Sequence, residues 1–149
     1  MSAEKLTDKI LEAINSDKYD FLVANYANPD MVGHTGNLKA TVKAVECVDQ
    51  CLEKVVSAVE ECGGVIFITG DHGNAEEMVN LLTKRVDREH NVYPVPFVAI
   101  GLDKNKKDNY DQNSLALSQP TGTLADVAPT ILAQMGIEIP KEMNGQNLF

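Results

Sequence analysis

Hydrophobic positions along this chain fall into two kinds of pattern. Leu6, Ile10, Leu11 and Ile14 recur at helical spacing behind Ser2, a candidate N-cap, and predict a helix over residues 2–16. From Leu38 to Cys62 the positions Ala40, Val42, Val45, Val48, Leu52, Val55, Val56 and Val59 keep the same period, and Gly63-Gly64 supplies the stop of the longest helix. A final helix is predicted from Thr123 to Met135, closed by Gly136, with Leu124, Val127, Ile131 and Leu132 on its apolar face. Between these lie short continuous apolar runs that read as buried strands: Tyr19 to Tyr26 (YDFLVANY), Val65 to Thr69 (VIFIT) and Pro96 to Gly101 (PFVAIG). The polar stretch Leu102 to Thr121 reads as a surface insertion.

Strands alternating with helices at these lengths predict an α/β fold, a mostly parallel sheet with helices on both faces. In such sheets sites form beyond the carboxyl ends of the strands. A chain of 149 residues is the size of one domain, so residues 1–149 are read as a single folding unit.

Composition narrows the function more than the fold. With 44% hydrophobic and 23% charged residues the chain has the make-up of a soluble globular protein, and no apolar run approaches the length of a bilayer span. The opening MSAEKLTDKILEAI mixes acidic and basic residues, unlike a signal or transit peptide, so a cytoplasmic location is expected. A net charge of -9 repels a phosphate backbone, which argues against nucleic acid as a partner. Cys47, Cys51 and Cys62 match neither a disulfide framework nor a zinc pattern and are expected to be reduced packing residues.

The chemistry-bearing residues gather at strand ends. Asp30 and His34 follow the first predicted strand, Asp71 and His72 follow the second, and His90 precedes the third; these include all 3 histidines of the chain. Carboxylate oxygen and neutral imidazole suit zinc and manganese and leave positions open for a phosphate. Two such ions side by side can clamp the attacking and leaving oxygens of a phosphoryl transfer. Asp30 and His34, four apart, share a face if the loop enters a helix, with Gly33 expected to let the backbone bend between them. Gly70 and Gly73 are expected to permit a turn in which the adjacent Asp71 and His72 converge. Alone, an Asp-x-x-x-His pair is more often a helix cap beside a surface histidine than a metal site, and Asp-His-Gly after a strand is only a little stronger as a signal. From the residues themselves the inference ends at a metal site in an α/β domain.

At these same residues the chain resembles the cofactor-independent phosphoglycerate mutases, members of the alkaline-phosphatase-like metalloenzyme superfamily. The resemblance is carried by NYANPDMVGHTG, TGDHGNAEEM, EHNVYPVPF and GTLADVAPTILAQMGIEIPKEMNGQNL. It implies Asp30, His34 and His90 as ligands of one metal and Asp71 and His72 as ligands of a second. Manganese is the implied ion, with zinc and magnesium as chemical alternatives. His90 keeps its place four before Pro94, while Asn91 and Val92 stand where the family has threonines.

Family members are several times longer. They carry a serine nucleophile near the N-terminus and a second domain that grips phosphoglycerate with arginines; no segment here matches the serine motif. The resemblance therefore implies that residues 1–149 correspond to the C-terminal part of the phosphatase-like domain, with no catalytic residue assigned. Such a chain is expected to be inactive alone. Completed by the missing half, it would serve the interconversion of 3- and 2-phosphoglycerate in glycolysis and gluconeogenesis through a phosphoserine. The alternatives are another phosphomutase or phosphatase of the superfamily, or a non-catalytic metal-binding or partner-binding module. An incomplete sheet favours a homo-oligomer or a complementing chain.

Overall fold

Ser2 opens the first helix as predicted: its side chain accepts the Lys5 N–H, and α1 runs over Ala3–Asn15. The structure is a computed structural model that describes residues 2–80, 82–102 and 120–149. The predicted insertion from Leu102 to Thr121 lies almost wholly outside the described residues. The chain divides into two compact units, Met1–Lys104 and Asn105–Phe149.

In the first unit, α2 (Asn28–Gly33) is a short helix with proline in its first turn, where a missing N–H costs nothing. Helix α3 (Leu38–Glu61) starts on Asn37, whose side chain accepts the Ala40 N–H, and stops at Gly63, which has φ 71. α3 packs against both α1 and α2. The buried apolar side chains described here are few: Ala3, Cys51, Val55 and Met78. Thr7 joins them by donating to the Ala3 carbonyl at 2.9 Å and pairing with the Tyr26 hydroxyl at 2.8 Å. Burial pushes the Tyr26 phenol pKa up, against the opposing effect of that Thr7 contact.

The strands depart from expectation in two ways. β1 (Ile66–Thr69) and β2 (Phe97–Ile100) form within the predicted runs, but they pair antiparallel, with Ile66 opposite Ile100 and Thr69 opposite Phe97. The parallel sheet is thus not what these strands make. A parallel return needs a crossover, usually a helix, whereas the connection here folds back on itself. Gly73 bridges Asn91 and Val79 bridges Val86, both antiparallel, and the tip is closed by Asn80, whose N–H reaches the Arg85 carbonyl at 2.9 Å. The chain therefore re-enters the sheet at the edge where it left.

The second departure is the run Tyr19 to Tyr26, which forms no strand and lies open, with Tyr19 63% and Val23 81% exposed. An apolar run becomes a strand only when a neighbour completes its ladder. Among the described residues none does, and the contact of the Tyr26 hydroxyl with Thr7 ties the end of the run to α1. Of the three thiols expected to pack, Cys51 is buried, Cys47 half-buried and Cys62 exposed, so the packing role fails for Cys62. No helix among the described residues is long and apolar enough to cross a membrane.

In the second unit, Thr123 caps a single 3₁₀ turn (Leu124–Asp126) that leads into α4 (Val127–Gln134), and Gly136 ends the helix with φ 70. The buried Asp126 carboxylate accepts the Thr123 N–H at 2.6 Å and the Gln146 N–H at 2.8 Å, tying the chain end to the helix start. The backbone N–H of Gln146, then that of Thr123, hold its carboxyl below the usual range against the opposing effect of burial.

A carboxyl lowered in the native state contributes stability that is full above its unfolded value of about 3.9 and is lost as pH falls through the native value. Amide exchange at Gln146 should accordingly lose protection below about pH 3.9. Asp126→Asn should expose that amide at neutral pH and remove the acid-dependent step.

Candidate metal centre

Three of the singled-out residues are brought to one point. Asp30 sits in the first turn of α2 and His34 caps its end, so the four-residue spacing places both on one side of the helix, as the sequence suggested. His90 comes from the returning limb of the β1–β2 connection. His34 Nε2 lies 3.0 Å from His90 Nε2, His90 Nε2 lies 3.1 Å from Asp30 Oδ1, and Asp30 Oδ1 lies 3.3 Å from His34 Nε2. Among the described residues this trio is the group of three whose donor atoms could hold a metal ion.

The triangle has the dimensions of a coordination face. An ion with bonds of about 2.1 Å holds neighbouring ligands roughly 3.4 Å apart if tetrahedral and roughly 3.0 Å apart if octahedral. Two imidazole nitrogens and a carboxylate oxygen at these separations are mutually unfavourable unless a proton or a cation sits among them. His34 is already committed on its other side: Nδ1 donates to the Arg88 carbonyl at 2.6 Å, which leaves Nε2 as a lone pair directed at the triangle. The three side chains are between a third and a half exposed, so water or an oxyanion can complete the coordination.

Asp71 and His72 follow β1 and approach each other at 3.5 Å, Oδ2 to Nε2, and among the described residues no third donor lies near enough to form a second trio. The His72 ring stacks on His90 with centroids 3.7 Å apart, so the second pair adjoins the first group. His72 Nδ1 is buried with no hydrogen-bond partner among the described residues, a costly position for an imidazole nitrogen. Asp71 is 83% exposed.

The glycines act differently from the reading of the sequence. Gly33 stays helical and buried, and a Cβ there would collide with the Asn74 side-chain amide. Neither Gly70 nor Gly73 has positive φ; a Cβ on Gly73 would strike the Asn91 amide and the Glu76 carboxylate. Both Gly33 and Gly73 therefore permit close approach rather than bending.

Three residues were left without a role by the sequence. Asn74, buried, donates its amide toward the Arg88 and Glu89 carbonyls at 3.5 and 3.4 Å. Glu76 accepts the Asn74 N–H at 2.8 Å and the Asn91 amide at 2.6 Å. Burial raises the Glu76 carboxyl, but the bonds from the Asn91 side chain and the backbone N–H groups of Glu76 and Asn74 outweigh it and leave the pKa below the usual range. Asn91, one of the positions departing from the threonines of the resemblance, thus acquires a partner of its own. The signal for Asn74 and Glu76 was their polar character within TGDHGNAEEM, next to the proposed ligands, and for Asn91 its place directly after His90 in EHNVYPVPF.

The sequence profile of the Metalloenzyme superfamily matches residues 1–139. The whole chain is 48% identical to the 2,3-bisphosphoglycerate-independent phosphoglycerate mutase of Clostridium novyi (strain NT), covering 27% of that protein. It is 47% identical to the enzyme of the same name from Antithamnion sp., covering 28% of it. A structure of Leishmania mexicana phosphoglycerate mutase at low cobalt concentration superposes with a TM-score of 0.80 at 32% identity, over 97% of this chain and 27% of the other. The chain thus spans about a quarter of the length of these relatives.

Gly33→Ala should drive the Asn74 amide out of place, destabilise the first unit by about 1–3 kcal/mol as overpacking does, and weaken metal binding. Urea unfolding with and without a divalent ion measures both effects.

Proposed function

The chain belongs to the Metalloenzyme superfamily, with its alkaline-phosphatase-like α/β fold, and on that basis we propose that it carries the divalent-metal centre of a phosphoglycerate mutase. The observation that supports this most directly is the triangle of Asp30 Oδ1, His34 Nε2 and His90 Nε2 with edges of 3.0–3.3 Å. These three residues would hold one ion, and Asp71 and His72 would contribute to a second. Manganese is the ion proposed, with zinc and magnesium as alternatives suited to the same donors. A divalent ion there supplies Lewis-acid polarisation of a phosphoryl oxygen. The chain's own part is to present a carboxylate and two neutral imidazoles, to fix the proton of His34 on Nδ1 through the Arg88 carbonyl, and to leave one side of the triangle open to substrate.

The proposed substrates are 3- and 2-phosphoglycerate, interconverted in glycolysis and gluconeogenesis in the cytoplasm. The phosphoserine step requires an activated serine hydroxyl, and that step is assigned to the remainder of a complete enzyme rather than to the residues of this chain. A second reading, binding of a complementing chain or a second copy, is favoured by the open apolar segment Tyr19–Val23, in which Tyr19, Phe21 and Val23 are each at least half exposed. Sedimentation across a concentration series distinguishes it: association that weakens in a Phe21→Asp, Val23→Asp variant supports the partner surface, and a monomer at all concentrations opposes self-association.

Calorimetric titration of the metal-free chain with manganese should show saturable binding. His34→Ala should weaken it by more than the roughly 10–100-fold that loss of an orienting partner costs, because a direct ligand is removed. An ion at about 100 times its dissociation constant should stabilise the native state by about 2.7 kcal/mol, reversibly with chelator. Absence of saturable binding would overturn the metal assignment.

A further inference from the structure

The three ligands come from two segments that have no covalent reason to stay in register. Asp30 and His34 ride together on α2, but His90 lies 56 residues beyond His34 and reaches the triangle from the limb whose Arg88–Glu89 stretch lies against that helix. Two side chains hydrogen-bond that stretch. One is the His34 imidazole, which donates to the Arg88 carbonyl. The other is Asn74, a buried side chain wedged between α2 and the His90 limb: its carbonyl oxygen sits against the Gly33 Cα, where no Cβ intervenes, and its NH₂ faces the Arg88 and Glu89 carbonyls.

We infer that Asn74 is a positioning residue for the metal centre, acting on His90 and not on the ion. The inference rests on the reading of Asp30, His34 and His90 as metal ligands. Three features point to Asn74 in particular. Its side-chain orientation is fixed by chemistry, because both backbone carbonyls can only accept and so must face the nitrogen. Both bonds are long, so neither would hold the limb alone, but they converge on successive carbonyls immediately ahead of His90 and restrict its approach. Its backbone N–H is bound to Glu76, whose other oxygen takes the Asn91 amide, so one residue braces the peptide before His90 and the side chain after it. Gly33 is then the matching piece on α2.

The test uses the full chain with manganese as the probe and two variants. Asn74→Leu keeps the approximate volume without donors, and Asn74→Ser is small and polar but too short to reach the two carbonyls. Both are expected to weaken manganese binding in calorimetry by roughly 10–100-fold, the range found when an orienting partner is removed. The discriminating readout is the ring-nitrogen chemical shift of each histidine as zinc, a diamagnetic ion suited to the same donors, is added, because that shift reports coordination of the nitrogen itself. Wild type should shift His34 and His90 together. The variants should shift His34 first, with His90 following only at higher ion concentration, since Asp30 and His34 remain paired on α2. Circular dichroism and amide spectra establish that each variant is folded. Wild-type affinity in a folded variant, or simultaneous coordination shifts of both rings at its weakened affinity, would overturn the inference. Failure of the wild type itself to bind manganese would overturn the metal assignment beneath it.

Discussion

The hydrogen bond from His34 Nδ1 to the Arg88 carbonyl, 2.6 Å long, joins the helix that supplies two of the proposed ligands to the limb that supplies the third. It does two things at once. It fixes which nitrogen of His34 carries the proton, so that Nε2 can act as a donor to a cation, and it draws the backbone ahead of His90 toward α2. Without it the Asp30–His34 pair would remain, since helical spacing alone makes it. The triangle would lose one of the contacts that hold His90, which belongs to a 27-residue connection, from Gly70 to Pro96, that pairs with itself through two isolated bridges. The antiparallel return of β2 beside β1 is part of the same arrangement: it brings the chain back to the edge it left and lays His72 and His90 face to face.

How much of this could be read from the sequence depends on whether the signal was local. Helices α3 and α4 were legible because an apolar period is bounded by a cap and a terminating glycine, and α1 because a cap precedes an apolar period. Both strands were found, since VIFIT and PFVAIG are apolar runs bounded by turn residues. Their direction was not, because parallel or antiparallel pairing depends on the path of the connection between them, and that path is set by bridges such as Gly73–Asn91 that leave no periodic trace. Tyr19 to Tyr26 failed for the related reason that a strand needs a neighbour, which lies outside its own residues.

The site divides along the same line. Asp30 and His34 could be paired from their spacing, whereas residues alone gave no reason to join His90 to them, and only the resemblance did so. The glycines were recognised as important but for the wrong physical reason. Bending is a property of φ, and Gly33, Gly70 and Gly73 do not need unusual φ; what Gly33 and Gly73 provide is room, for the Asn74 amide in one case and for Asn91 and Glu76 in the other. Room is visible only when the opposing group is known, which is why Asn74 and Glu76 escaped notice although both lie in a motif already singled out.

The small number of buried apolar side chains gives the polar network a larger share in holding the first unit together than such networks usually have. Ala3, Cys51, Val55 and Met78 are spread over α1, α3 and the connection, and none of them lies on the limb that carries His90. That limb is held by hydrogen bonds to His34 and Asn74 and by the Gly73–Asn91 bridge, each with a modest net contribution of about 1 kcal/mol. Three donor atoms within 3.3 Å of one another oppose this closure when no charge separates them, and reinforce it when a cation does. On the proposed assignment a bound ion would do more than occupy a preformed cup: by coordinating His90 along with Asp30 and His34, it would cross-link α2 to the returning limb, so that metal affinity and the local stability of the β1–β2 connection would become two expressions of one equilibrium.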